Sequence, residues 1–198
     1  MFAGIVTAVG RIASSKPQGD GVRLRIEAPW FGMDDVAVGD SIAVHGVCLT
    51  VVALDAAGFE ADVSRATLGV TQGLEAGRDV NLEKSLRFGD RVDGHLVAGH
   101  VDAVGEVVAL EDLGGSARVV VQAPAPLARF IARKGSVAID GVSLTVNAVD
   151  GSRFEVNLIP HTRGVTALRN LAPRVRVNLE VDMLARYVER ALHPPRDS

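Results

Sequence analysis

Apolar and polar residues alternate through much of this chain. Val22-Arg23-Leu24-Arg25-Ile26-Glu27 turns every second side chain to an apolar face. Phe59-Glu60-Ala61-Asp62-Val63 and Phe154-Glu155-Val156-Asn157-Leu158 do the same. A period of two marks a strand with one face in a core. Short Val-, Ile- and Thr-rich runs are separated by Val38-Gly39-Asp40 and Asp140-Gly141, residues that tolerate the backbone angles of tight turns. Many short strands in a unit of this size predict a closed barrel or a sandwich. Closure removes the unpaired edges that an open six-stranded sheet exposes. The opening Met1-Phe2-Ala3-Gly4-Ile5-Val6 has no basic flank before its apolar residues, so it reads as a strand rather than a signal peptide.

The alternation runs twice. Displaced by 95 positions, Ser41-Ile42-Ala43-Val44-His45-Gly46-Val47-Cys48-Leu49-Thr50-Val51 falls on Ser136-Val137-Ala138-Ile139-Asp140-Gly141-Val142-Ser143-Leu144-Thr145-Val146, with seven of eleven positions identical. The same displacement pairs Gly4-Ile5-Val6 with Gly99-His100-Val101, Phe59-Glu60 with Phe154-Glu155, and Thr67 with Thr162. Towards the end of each half it becomes 97, and Val80-Asn81-Leu82-Glu83 meets Val177-Asn178-Leu179-Glu180. Two copies of this length describe a pair of similar domains rather than a solenoid of shorter units. The expected boundaries are 1–94, 95–181 and a C-terminal segment 182–198.

That last segment has no counterpart in the first half. Leu184, Val188, Ala191 and Leu192 share one helical face, with Tyr187 beside them, and Pro194-Pro195 would stop the run. A helix of about ten residues is marginal alone. Its stripe must cover either its own barrel or the same helix from other subunits. Asp182 stands at the N-cap position.

Composition narrows the chemistry. The chain has 198 residues with a net charge of −3, and no basic stripe, so a nucleic-acid footprint is not expected. Aromatic residues are 4% of the chain, few for stacking single-stranded bases. One cysteine, Cys48, excludes an internal disulfide framework and fits a reducing, cytoplasmic setting. No apolar run approaches the ~18 residues of a membrane span. No Cys/His cluster has metal spacing, and no Gly-rich phosphate loop opens a helix.

The duplicated Gly-Val-(Cys/Ser)-Leu-Thr-Val signature, the opening Met1–Val6 and Gly94-His95-Leu96-Val97-Ala98-Gly99-His100-Val101-Asp102 together resemble the riboflavin synthase alpha-chain family. Lys134-Gly135-Ser136, Leu158-Ile159-Pro160-His161-Thr162 and Val177–Asp182 extend the resemblance to about residue 190. It implies an all-β protein: two similar six-stranded antiparallel Greek-key barrels related by duplication, plus a short C-terminal α-helix that gathers three chains. It implies the transfer of a four-carbon unit between two molecules of 6,7-dimethyl-8-ribityllumazine, giving riboflavin and 5-amino-6-ribitylaminouracil. It implies no metal and no redox cofactor, and an association with lumazine synthase.

Under this resemblance each barrel holds one flat ring and its ribityl chain. The pattern maps the first pocket onto Gly4, Ile5, Val6, Cys48, Leu49, Thr50, and Asp62, Val63, Ser64, Arg65, Ala66 and Thr67. It maps the second onto Gly99, His100, Val101, Ser143, Leu144, Thr145, and Asn157, Leu158, Ile159, Pro160, His161 and Thr162, with Lys134 beside them. Leu49, Leu144, Val6 and Val101 could equally be core residues. His100 is a candidate for proton handling, Cys48 for addition to an electrophilic ring carbon or else a small buried hydrophobe, Asp182 for charge near the reacting pair, and Ser41 for a hydroxyl contact. One substrate donates carbon and the other accepts it, so the pockets must differ. Cys48 against Ser143, Ile5 against His100, His45 against Asp140 and Ser64 against Ile159 are the expected assigners of those roles. Ala3, His45 and Arg163 depart from the Thr, Asn and Leu usual in the family. Two other readings compete: a non-catalytic lumazine- or flavin-binding protein, whose second repeat should be degraded, and a flavin reductase barrel, which would need a nicotinamide-binding domain that no stretch offers.

Overall fold

Alternation becomes closure in the folded chain. A computed structural model describes residues 1–193; Pro194-Pro195 and the remainder of the expected tail lie outside the described residues. In the first half, β1 (Ala8–Gln18), β2 (Gly21–Glu27), β3 (Ser41–Val44), β4 (Val47–Asp55), β5 (Gly58–Val63) and β6 (Asp79–Lys84) form a closed barrel in the ring order β1-β2-β5-β4-β3-β6, with helix α1 (Arg65–Val70) between β5 and β6. In the second, β7 (Ala103–Asp112), β8 (Ala117–Gln122), β9 (Ser136–Ile139), β10 (Val142–Asp150), β11 (Arg153–Leu158) and β12 (Arg176–Val181) repeat that ring, with α2 (Pro160–Val165) in the matching place. Every pairing is antiparallel. β3 does not neighbour β2, and that crossover makes each barrel a Greek key. Even the irregularities recur. Register shifts between Ile12 and Ser14 and between Val51 and Ala53 reappear between Val107 and Ala109 and between Val146 and Ala148. Such bulges bend strands into a barrel wall.

The alternating apolar residues fill the interiors. Ile12, Leu24, Ile26, Phe59 and Leu82 are fully buried in the first barrel, and Val107, Val119, Val121, Phe154 and Leu179 hold the equivalent places in the second. Each such side chain contributes about 1.5–3 kcal/mol by leaving water.

A buried seam joins the barrels through reciprocal contacts. The turns His45-Gly46 and Asp140-Gly141 face each other, and a Cβ on Gly46 would sit 2.8 Å from the Gly141 nitrogen. Asn81 Nδ2 donates to the Asp140 carbonyl at 2.8 Å, and Asn178 Nδ2 donates to the His45 carbonyl at 3.0 Å. The two amide oxygens accept in turn from Ala167 N–H (2.7 Å) and Gln72 N–H (2.8 Å), again residues 95 apart. His45 and Asp140 were expected to help distinguish the pockets. Instead their side chains meet at the seam, Nε2 to Oδ1 at 3.3 Å, buried from solvent. Burial pushes the Asp140 carboxyl up, and the facing imidazole opposes that shift.

The opening segment is not the expected strand. Met1–Val6 makes one isolated bridge, in which Phe2 and Val97 exchange hydrogen bonds of 2.7 and 3.0 Å, and β1 begins only at Ala8. Its apolar character serves the seam, where Phe2 packs with Ala43, Val97 and Ala138.

Helix α3 (Met183–Leu192) follows β12. Asp182 caps it, accepting from Leu184 N–H at 3.0 Å. Arg186 to Asp102 (2.7 Å) and Glu189 to Arg129 (3.1 Å) tie its polar side to the second barrel. Leu184, Tyr187, Val188 and Leu192 are between 57% and 72% exposed. The apolar stripe therefore does not cover its own barrel.

Candidate active site

Two short segments cross between the halves, and they build the site. Residues 3–5 precede β1 of the first barrel, and residues 98–100 precede β7 of the second. A carboxylate on the last strand of each barrel grips its own segment. Glu83 accepts from Ala3 N–H and Gly4 N–H at 2.7 and 3.0 Å, and Glu180 accepts from Ala98, Gly99 and His100 N–H at 2.6, 2.9 and 2.9 Å. Each segment then reaches the opposite barrel. Cys48 N–H donates to the Gly99 carbonyl and Ser143 N–H to the Gly4 carbonyl, both at 2.8 Å.

Only glycine fits at these crossings. Gly4 and Gly99 have φ of +72° and +78°, and a Cβ on either would lie 2.6 Å from the Cβ of Ser143 or Cys48. The grip has an electrostatic side. Burial pushes the Glu83 carboxyl up to about 7, although three backbone N–H groups favour its charged form. Glu180 is also pushed up by burial.

The crossing overturns the expected grouping of the site. Gly4-Ile5-Val6 was placed with the first barrel and Gly99-His100-Val101 with the second. The structure exchanges them. Val101 packs on the first barrel's core and Val6 on the second's. A cavity of about 420 Å³ on the first barrel is lined by Cys48 and Val47 of β4, by Ala66, Thr67, Val70 and Thr71 around α1, and by Gly99, His100 and Val101 of the crossing segment. The equivalent positions on the second barrel are Ser143, Val142, His161, Thr162, Val165, Thr166, Gly4, Ile5 and Val6. A composite wall of this kind presents backbone groups at the crossing, a hydroxyl from Thr67 or Thr162, and three variable positions: Cys48 or Ser143, Ala66 or His161, and His100 or Ile5.

The remaining expected residues spread out. Leu49, Val63, Leu144 and Leu158 are buried in the barrel cores. Asp62 forms a two-pronged ion pair with Arg23 at 2.7 and 2.8 Å. Ser64 caps α1 by accepting from Thr67 N–H at 3.2 Å, whereas Ile159 before Pro160 supplies no side-chain cap to α2. Arg65 and His161 lie in the first turns of α1 and α2. Ser41 pairs with Thr50 between β3 and β4, as Ser136 pairs with Thr145 between β9 and β10. Asn157 is exposed on β11 opposite Arg118. Lys134 is exposed before β9 at φ +69°, where its N–H donates to the Val146 carbonyl at 2.7 Å.

Sequence reasoning missed Glu83, Glu180 and the two seam asparagines as working residues. Their signal was present, since Val-Asn-Leu-Glu is the one tetrad repeated without change near the end of each half.

Known proteins share this architecture. A family model described as "Lumazine binding domain" matches residues 3–85 and again 98–182, so the chain is a tandem lumazine-binding-domain protein. It is 46% identical to riboflavin synthase of Brucella abortus, over 96% of this chain and 97% of the relative. It is 42% identical to riboflavin synthase of Photobacterium phosphoreum, over 97% and 89%. Among solved structures, LumP complexed with 6,7-dimethyl-8-(1'-D-ribityl) lumazine superposes with a TM-score of 0.81 at 26% identity, covering 91% of this chain and 99% of the other. The LumP complex with riboflavin gives 0.83 at 27%, with the same coverage. The chain belongs to the riboflavin synthase family.

Proposed function

We propose that this protein is a riboflavin synthase. It takes two molecules of 6,7-dimethyl-8-ribityllumazine, moves a four-carbon unit from one to the other, and releases riboflavin and 5-amino-6-ribitylaminouracil. The observation that carries this reading is the reciprocal crossing: Gly99 reaches Cys48 beside a cavity on the first barrel, and Gly4 reaches Ser143 at the equivalent place on the second, an arrangement suited to two copies of one molecule in unequal roles. Holding both substrates together recovers part of the entropic barrier of a bimolecular step, up to ~7–11 kcal/mol in well-oriented systems.

His100, exposed at the mouth of the first cavity, is the candidate to take a proton from the acidic methyl group of a bound lumazine. Cys48, half-buried in the wall of that cavity, is the candidate to face the ring. Asp182 caps α3, and its charge raises the proton affinity of His95 beside Ser143, so the cap and a role near the second half's site are compatible. The uncovered stripe of α3 supports a homotrimer in which these helices pack together, bringing a first-half cavity of one chain opposite a second-half cavity of its neighbour. A cytoplasmic location and an association with lumazine synthase belong to the same reading.

A non-catalytic holder of a lumazine or flavin is the second reading, favoured by the similarity to LumP. Incubation of the purified protein with 6,7-dimethyl-8-ribityllumazine separates the two. One riboflavin formed for every two lumazines consumed is expected, with no added cofactor. Stable binding without riboflavin fluorescence would support the holder and end the synthase reading.

A further inference from the structure

His95 lies in the stretch between β6 and β7 and is 9% exposed. Its backbone N–H donates to the Ala3 carbonyl at 3.1 Å, so the residue is fixed beside the crossing segment. Its Nδ1 is 2.7 Å from Ser143 Oγ, and its Nε2 is buried without a partner. Ser143 is the second-half equivalent of Cys48. The surroundings of the two differ in kind: Cys48 packs against the apolar Phe2–Ala43–Val97–Ala138 cluster, whereas Ser143 is held by an imidazole.

Burial pushes the proton affinity of the ring down more strongly than the Asp182 charge raises it, which favours the neutral form. A neutral imidazole has one N–H. With the proton on Nε2, that donor would be buried and unpaired, the costlier kind of orphan. With the proton on Nδ1, the ring donates to Ser143 Oγ, and the serine hydroxyl is free to donate elsewhere. Gly4 crosses directly beside Ser143, whose N–H donates to the Gly4 carbonyl at 2.8 Å.

We infer that His95 is a positioning residue that fixes the Ser143 hydroxyl as a hydrogen-bond donor toward an acceptor atom of the heterocycle held by the second half, a carbonyl oxygen or ring nitrogen. The inference rests on the reading that each half holds one lumazine. It gives the duplicated sites unlike recognition: a donor hydroxyl against the ring in one, an apolar-backed thiol in the other.

The test is equilibrium titration of the intact protein with 6,7-dimethyl-8-ribityllumazine, resolving the two binding steps, for the wild type and for Ser143→Ala, His95→Leu, His95→Asn and the Ser143→Ala/His95→Leu double variant. Thermal unfolding controls for folding. Ser143→Ala and His95→Leu should each weaken one step about tenfold, the value of one hydrogen bond, and leave the other unchanged. The double variant should be no weaker than Ser143→Ala alone. His95→Asn, whose side-chain amide N–H can stand in for Nδ1–H, should restore most of the loss. Equal weakening of both steps by His95→Leu, multiplying losses in the double variant, or no rescue by His95→Asn would overturn the inference while leaving the synthase reading in place. A wild type that binds one lumazine per chain would instead remove the reading on which it rests.

Discussion

The cavity of the first barrel joins Cys48, Thr67 and His100, and the equivalent positions on the second barrel are Ser143, Thr162 and Ile5. The supporting frame is shared. The glycines that cross, the carboxylates that grip the crossing segments and the asparagines that lock the seam are the same in both halves. Identity persists where backbone geometry leaves no choice, and divergence appears at the cavity positions Cys48/Ser143 and His100/Ile5 and at the buried seam pair His45/Asp140. A duplicated scaffold can therefore hold two copies of one molecule in the same orientation relative to each barrel and still treat them unequally.

The sharpest way to break that comparison is at the crossings. Gly4→Ala and Gly99→Ala should each destabilise the protein by about 3 kcal/mol or more, through a strained positive φ and a contact that neither backbone can relieve. Urea denaturation measures this, and the two losses should match within error. Wild-type stability in either variant would mean that the segments do not cross as described.

Next is the grip itself. The folded value for Glu83, about 7, lies above its ordinary value of 4.5. The folded state binds that proton more tightly, so the associated stabilisation is complete below about pH 4.5 and is lost as pH rises through about 7. The full difference is about 3 kcal/mol. Glu180 is shifted in the same direction. Compared at pH 5 and pH 8 by urea unfolding, Glu83→Gln should lose less stability than the wild type over that interval. Parallel losses would place the Glu83 carboxyl in an ordinary environment.

His100 and Ile5 occupy equivalent crossing positions, so truncating each asks whether the cavities play unequal roles. His100→Ala should reduce turnover about 100-fold, the scale of a lost general base, with little change in unfolding, because the side chain is exposed. Ile5→Ala should alter substrate binding and leave turnover near normal. Equal effects on turnover would make the two cavities chemically alike. The smallest effect belongs to α3, which only the second half carries. Asp182→Ala should cost about 1 kcal/mol of stability through the lost cap, and Asp182→Asn should keep most of it. If Asp182→Asn lowers turnover while stability holds, the charge acts beyond the cap.

The barrels were legible because their cause is local. Alternation in stretches such as Val22–Glu27 sets each strand, and the 95-residue displacement sets the pair. The crossing was not legible, for a reason of symmetry. Gly4 aligns with Gly99 whether each segment serves its own barrel or the other one, so the repeat carries no information about exchange. His45 and Asp140 could be seen to differ, but their meeting depends on how one barrel sits on the other, which no local pattern encodes. The apolar stripe of α3 was readable as a stripe. That it stays uncovered within one chain required the fold.

The most direct measurement is a crystal structure with 6,7-dimethyl-8-ribityllumazine bound. One ligand is expected against Cys48, Thr67 and His100, and a second against Ser143, Thr162 and Ile5. A ligand touching Cys48 and Ile5 together, or a single ligand per chain with the second wall empty at saturation, would contradict the composite, duplicated site.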